Sequence, residues 1–214
     1  MNLHCATREL HPRHAFRISR ARRTEVRNVF VRLDRDGLAG YGEASPNSFY
    51  GETWEGVMAK LEDARDFLSA LEVRSVAEIE IAWNDLWRFL APSRAAQCAV
   101  DVALWDWLAR REGVSVGELA WGTRPKPVRT FCTIGLSNDQ ELLEKADELV
   151  GFPMIKIKAD ATADLRAVRF ARERFHSALL AVDANCAWSD VDLSAVSREL
   201  ARLDVAFVEQ PFPP

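Results

Sequence analysis

The fold class this 214-residue sequence predicts is an α+β part followed by α/β units of the (β/α)8-barrel type, with about the first four βα units present. Three observations carry that expectation. Residues 15–44 hold β-branched and aromatic runs around the turn signal DRDG at 34–37. Residues 53–111 hold apolar side chains at helical spacing. From residue 130 onward, short apolar runs begin near Thr130, Ile155, Leu179 and Ala206, at a nearly constant interval, with amphipathic stretches between them. Regular strand–helix alternation of this kind implies parallel strands joined by right-handed crossovers. The closed eight-stranded barrel is the fold that most often uses it. Four such runs leave two sheet edges open, a liability that predicts a homo-oligomer or association through those edges.

In chain order, residues 15–33 and 38–44 are expected to pair as strands. Thr53 is placed to cap a helix through Trp54, Val57, Leu61, Ala64, Leu68 and Leu71. A second helix covers 76–90 with Ile79, Trp83, Leu86 and Leu90 on one side. A third runs from Ser93 to about Arg111 and is stopped by Gly113; Ala95, Ala96, Ala99 and Ala103 give it a face open to close approach. Asp101 and Asp106 in that helix are read as solvated or cap-like groups rather than catalytic ones. GTRPKPV at 122–128 is the linker, dividing the chain into 1–127 and 128–214. Helices are expected at 138–150, 163–175 and 192–203.

Composition excludes several roles. With 48% hydrophobic and 28% charged residues the chain is an ordinary globular one. A net charge of −4 gives no basic footprint for nucleic acid. The short cluster Arg17, Arg20, Arg22 and Arg23 reads first as a solvated strand edge. No apolar stretch approaches the roughly 20 residues that span a bilayer, and the opening lacks the apolar segment of a secretory signal. Cys5, Cys98, Cys132 and Cys186 show no CxxC spacing, so reduced thiols in a cytoplasm are the simplest account.

MIKIKAD at 154–160 places Lys156 and Lys158 two apart, and therefore on one face, of a run that otherwise reads as a buried strand. The next strands end in Asp183 and Asn185, within AVDANCAW, and in Glu209, within FVEQPFPP. In parallel barrels the C-terminal strand ends build the active site. A lone acidic residue there is usually a turn or cap, but two lysines and two carboxylates on adjacent strands need partners or a metal. Asp183 and Glu209 have the hard oxygens that suit Mg2+. A cation and a neighbouring ammonium would lower a lysine's pKa toward neutrality, making a usable general base.

KIK, DAN and EQP on successive strands are similar to the motifs of the enolase superfamily, in its muconate-lactonizing and dipeptide-epimerase branch. GYGEASP at 40–46, GET at 51–53 and ALWDWLARREGVSVGELAWG resemble that family's α+β capping domain and its entry into the barrel. The resemblance covers nearly the whole chain. It implies a Mg2+-dependent isomerase that binds a substrate carboxylate on the metal, removes the α-proton and passes through an enediolate, with a dipeptide as the expected substrate. By the same resemblance, Lys158 is the acid/base and Lys156 sits beside the carboxylate and depresses the pKa of Lys158. Asp183 and Glu209 are metal ligands, and Asn185 lines the site. Thr133 lies near the substrate, and the loop 47–53 with one of Arg20, Arg22 or Arg23 touches the substrate's distal end. The family's third metal carboxylate, its opposing lysine and the acidic motif that holds the substrate ammonium have no counterpart in these residues, so the chain alone is expected to be inactive. A cycloisomerase or an o-succinylbenzoate-synthase-like dehydratase shares the same three motifs, and a catalytically silent binding or assembly fragment is the reading from another class.

Overall fold

The computed structural model describes residues 1–14, 16–18 and 21–213. The chain forms two compact units, one of residues 1–11 and 25–126, the other of residues 12–24 and 127–214.

In the first unit, β1 (Asn2–Leu10), β4 (Val26–Arg35) and β5 (Leu38–Ala44) make an antiparallel sheet in the order β1-β4-β5. The turn between β4 and β5 is Asp36–Gly37, both at positive φ, a two-residue connection whose twist suits the flanking strands. Helices α1 (Trp54–Asp63), α2 (Arg65–Ala70), α3 (Val76–Leu90), α4 (Arg94–Glu112) and α5 (Val116–Trp121) follow. Thr53, Ser75, Ser93 and Ser115 cap α1, α3, α4 and α5 by accepting from backbone N–H groups in the first turn. α4 lies against the sheet because small residues meet glycines there. A Cβ added to Gly42 would fall 1.9 Å from the carbonyl oxygen of Ala99, and one added to Gly40 2.2 Å from that of Ala103. Around this contact Val29, Val31, Leu33, Leu61, Leu86, Leu104 and Leu108 form the core.

The second unit holds the two-stranded β2 (Phe16–Ile18) and β3 (Ala21–Arg23), then β6 (Cys132–Ile134), α6 (Asp139–Ala146), β7 (Met154–Lys158), α7 (Arg166–Arg174), β8 (Leu179–Asp183), α8 (Leu193–Arg202) and β9 (Val205–Glu209). The sheet is wholly parallel, in the order β6-β7-β8-β9. One face is packed with Ile134, Ile155, Ile157, Leu180 and Val182 against Leu142, Val168, Leu200 and Trp188. No helix among the described residues is long and apolar enough to cross a membrane.

Two expectations are corrected. Residues 15–33 do not form one strand: the β2–β3 hairpin and β4 divide them, and β1, which the sequence reading did not assign, is the partner of β4. β1 buries Leu3 fully but puts only Cys5 and Thr7 at its next inward positions, so its alternation is faint. The helix expected from Thr53 to Leu71 breaks at Ala64 into α1 and α2. Residues 12–24 group with the parallel sheet's unit. The backbone N–H of Leu136 donates to the Arg17 carbonyl at 3.0 Å, Arg17 pairs with Glu141 at 3.0 Å, and Arg13 and His14 both reach Glu148.

Candidate active site

Parallel strands paired in register point neighbouring side chains the same way. The pairs Thr133–Lys156 and Lys156–Ala181 set one row across β6, β7 and β8, and Lys158–Asp183–Glu209 sets a second across β7, β8 and β9. Both rows lie on the face opposite the buried isoleucines and valines. A register shift between Leu180 and Ala181 lets β9 gain one residue, and beyond it Glu209 falls opposite Asp183.

The charged groups meet at the C-terminal ends of the strands. Lys158 Nζ donates to Asp183 Oδ2 at 2.5 Å. Lys156 Nζ donates to Glu209 Oε2 at 3.2 Å and stands 3.4 Å from Asp183 Oδ2. Asp183 is 2% exposed as a side chain and Glu209 42%, so the site runs from a dry floor to an open rim. The other Asp183 oxygen accepts from the backbone N–H of Asn185 at 2.9 Å. Asn185 and Cys186 both adopt left-handed backbone, and the N–H of Cys186 donates to the Gln210 carbonyl, so the tips of β8 and β9 are tied together. The carboxamide oxygen of Asn185 is buried without a partner.

Burial pushes the Asp183 carboxyl up, but the Lys158 hydrogen bond, the Asn185 N–H and the charges of both lysines outweigh it and hold it below its ordinary value. Burial likewise pulls the Lys156 ammonium down, while Glu209 and Asp183 overcome it and hold Lys156 above its ordinary value. In this arrangement Lys156 is therefore a firmly protonated group.

The residues singled out in the sequence are distributed as follows. Lys156, Lys158, Asp183 and Glu209 converge at one end of the sheet. Asn185 touches Asp183 through its backbone, and Thr133 lies beside Lys156 in the ladder. Thr133 also lines a cavity of about 310 Å³ with Arg13, His14, Lys145 and Glu148. Arg20 lies outside the described residues. Trp188 was not singled out; it is 1% exposed, and its indole N–H donates to the Asp160 carbonyl at 2.9 Å, which fixes the loop that follows Lys158.

The carboxylate pair suits a divalent cation. Its donors are hard oxygens on adjacent strands, and the Lys156 ammonium, in reach of both, shows that one cationic centre can touch the two carboxylates together.

Residues 3–120 match the N-terminal domain of the mandelate racemase / muconate lactonizing enzyme family, and residues 140–214 match the enolase C-terminal domain-like family. The chain belongs to this enolase-superfamily family. It is 34% identical over 200 residues to the L-Ala-D/L-Glu epimerase of Escherichia coli K12, a match covering 92% of this chain and 59% of that protein. An enolase-family protein from Agrobacterium tumefaciens with homology to dipeptide epimerases, solved with sodium and L-Ala-L-Glu, superposes with a TM-score of 0.85 at 32% identity. That match covers 99% of this chain and 62% of the other. The dipeptide epimerase of Methylococcus capsulatus, solved with Mg and L-Arg-D-Lys, superposes with a TM-score of 0.84 at 29% identity, covering 99% and 61%. The chain is thus dipeptide-epimerase-like, and it spans less than two thirds of the length of each of these relatives.

Proposed function

We propose that the chain carries the cation-binding and first proton-transfer groups of a Mg2+-dependent isomerase that acts at the carbon α to a substrate carboxylate, with dipeptide epimerization as its reaction. The observation that carries this reading is the row Lys158–Asp183–Glu209 with Lys156 beside it, two lysines and two carboxylates on one face at the strand ends. Asp183 and Glu209 would hold Mg2+, which when bound anchors the substrate carboxylate and offsets the negative charge that develops as the α-proton leaves. Lys158, as the neutral amine, takes that proton on Nζ as the Cα–H bond breaks. Lys156 stays protonated, a fixed positive charge beside the substrate carboxylate. Asn185 holds Asp183 in place through its backbone N–H, and Thr133 and Arg20 are assigned to the substrate.

The same proposal extends to architecture. The four βα units are the first half of a (β/α)8 barrel, with a capping domain over 1–127 and barrel units over 128–214, and the open edges of β6 and β9 pair with further strands. The chain's share of its relatives' length supports this. Inversion of an α-carbon needs a base on each of its faces, and among the described residues both lysines of the row come from β7 alone. The 214-residue chain by itself is therefore inactive as an epimerase.

The test is α-proton exchange of L-Ala-L-Glu in deuterium oxide with Mg2+, followed by NMR, on a protein carrying the complete barrel. Because a positioned general base supplies about 10²- to 10⁴-fold, Lys158→Ala should slow exchange by at least about 10²-fold. Exchange undiminished in Lys158→Ala, or in wild type stripped of Mg2+, would overturn the assignment.

A further inference from the structure

A second polar cavity, of about 310 Å³, lies wholly within the first unit, walled by Arg35, Arg74, Arg111, Glu72, Asp36 and Trp107. The three arginines come from β4, from the segment between α2 and α3, and from the end of α4. Two of them have an evident structural duty. Arg35 Nη1 donates to the Leu71 carbonyl at 2.6 Å and Arg111 Nη1 to the Val73 carbonyl at 2.9 Å, which pins the α2–α3 segment onto the unit. Glu72 uses both carboxylate oxygens, one on Arg35 at 3.1 Å and one on Arg74 at 2.6 Å.

That duty leaves donors over. Arg74 spends a single nitrogen on Glu72 and keeps Nε and Nη1 without acceptors, and its side chain is 69% exposed. Arg111 spends Nη1 on Val73, and its Nε stands 3.8 Å from Glu112, beyond hydrogen-bond reach. Trp107 is 2% exposed, and its indole N–H is buried with no acceptor, although Arg111 lies 5.7 Å over its ring. A buried donor left unpaired costs free energy, and most such groups in proteins have a partner in protein or bound solvent. The wall therefore combines an excess of positive charge over Asp36 and Glu72 with guanidinium donors of Arg74 and Arg111 that no protein acceptor among the described residues takes.

We infer that this cavity binds an oxyanion of the phosphate class, as inorganic phosphate or a phosphate monoester. A planar carboxylate presents two oxygens in one plane, and Glu72 already fills that role between Arg35 and Arg74. A tetrahedral anion presents oxygens in several directions and so meets guanidinium donors that come from three separate segments, with the Trp107 ring as a wall beside it. The residues involved are separate from the lysine–carboxylate row, so the inference does not depend on the proposed reaction.

The experiment is a titration of the 214-residue chain with inorganic phosphate, with glycerol phosphate and with chloride at matched ionic strength, read in ¹H–¹⁵N spectra. The seven tryptophans give distinct indole N–H signals, and Trp107→Phe, or triple-resonance assignment if that variant does not fold, identifies the signal of Trp107. Saturable movement of that signal with phosphate and not with chloride is expected. Loss of one charge-assisted contact should weaken binding about ten-fold or more in Arg74→Ala, whose exposed side chain can be removed without opening the core. Tighter binding of glycerol phosphate than of phosphate assigns the site to monoesters, and the reverse assigns it to the free ion. A Trp107 signal that stays still, follows chloride equally, or responds with unchanged affinity in Arg74→Ala would overturn the site.

Discussion

Asp183 has exchanged water for Lys158, Lys156 and the Asn185 N–H, and Lys158 is itself only 9% exposed. Breaking such a pair strands a buried charge, which costs about 3–5 kcal/mol. Asp183→Ala should therefore lower the unfolding free energy of the second unit by about 3 kcal/mol in urea, and a loss below about 1 kcal/mol, the range of an exposed pair, would show that water reaches Lys158. The carboxyl is held below its ordinary 3.8, so its contribution is present above that value and is lost as pH falls through the lower folded-state value. Lys156 has the opposite sign: held above its ordinary 10.5, it stabilises below that pH and ceases to as pH rises through its folded-state value. Lys156→Met should flatten the alkaline limb of a stability–pH curve and, because one of the two charges that hold Asp183 down is lost, also weaken the acid limb. The residues of this row were legible in the sequence because strand alternation alone puts Lys156 with Lys158 on one face. Which carboxylate faces which lysine was not legible, since that depends on the pairing register of β7 with β8 and, for Glu209, on the register shift at Leu180/Ala181 between β8 and β9, neither of which a local motif announces.

At the scale of elements, α4 shows how far a pattern carries and where it stops. Its small residues announce a close contact, but the partner, β5, could not be named, because Gly40 and Gly42 are as compatible with a turn as with a strand pressed on a helix. The contact predicts that Gly42→Ala, whose Cβ would fall 1.9 Å from a carbonyl oxygen, destabilises the first unit by about 3 kcal/mol. A melting temperature unchanged from wild type would mean that α4 can move away freely. On the same helix, burial raises the Asp101 carboxyl against the opposing hydrogen bond from Trp105. A raised acid binds protons more tightly folded than unfolded, so it destabilises at neutral pH, and the penalty fades as pH falls toward its ordinary value of 3.8. Asp101→Asn should accordingly be the more stable protein at pH 7 and lose that advantage in acid; equal stability of the two at pH 7 would show the carboxylate to be fully solvated. β1 and the β2–β3 pair with residues 12–14 were illegible for a different reason. Both are held by long-range partners, β4 for the one and Leu136, Glu141 and Glu148 for the other, and neither carries a strong local period.

For the molecule as a whole, the question is how much chemistry the present residues support by themselves. Asp183 and Glu209 offer Mg2+ two carboxylates, whereas the ion demands near-octahedral oxygen geometry and otherwise keeps its waters. Both carboxylates are also engaged by lysine ammonium groups, which an entering cation must displace. Calorimetric titration of the 214-residue chain should give weak Mg2+ binding that Asp183→Asn removes, and tight stoichiometric binding would contradict the two-ligand reading. The consequence for turnover follows from geometry. Lys156 and Lys158 leave the same strand on the same face, so in the proposed reaction both would approach a substrate α-carbon from one side. Removing one member of a set of groups that act together costs orders of magnitude, not a proportionate share. The purified monomeric chain should at most exchange the α-proton of one of the two epimers, L-Ala-L-Glu or L-Ala-D-Glu, slowly for deuterium, with configuration retained. Chiral chromatography of the recovered dipeptide checks this, and accumulation of the inverted epimer would show that a second base lies within these 214 residues.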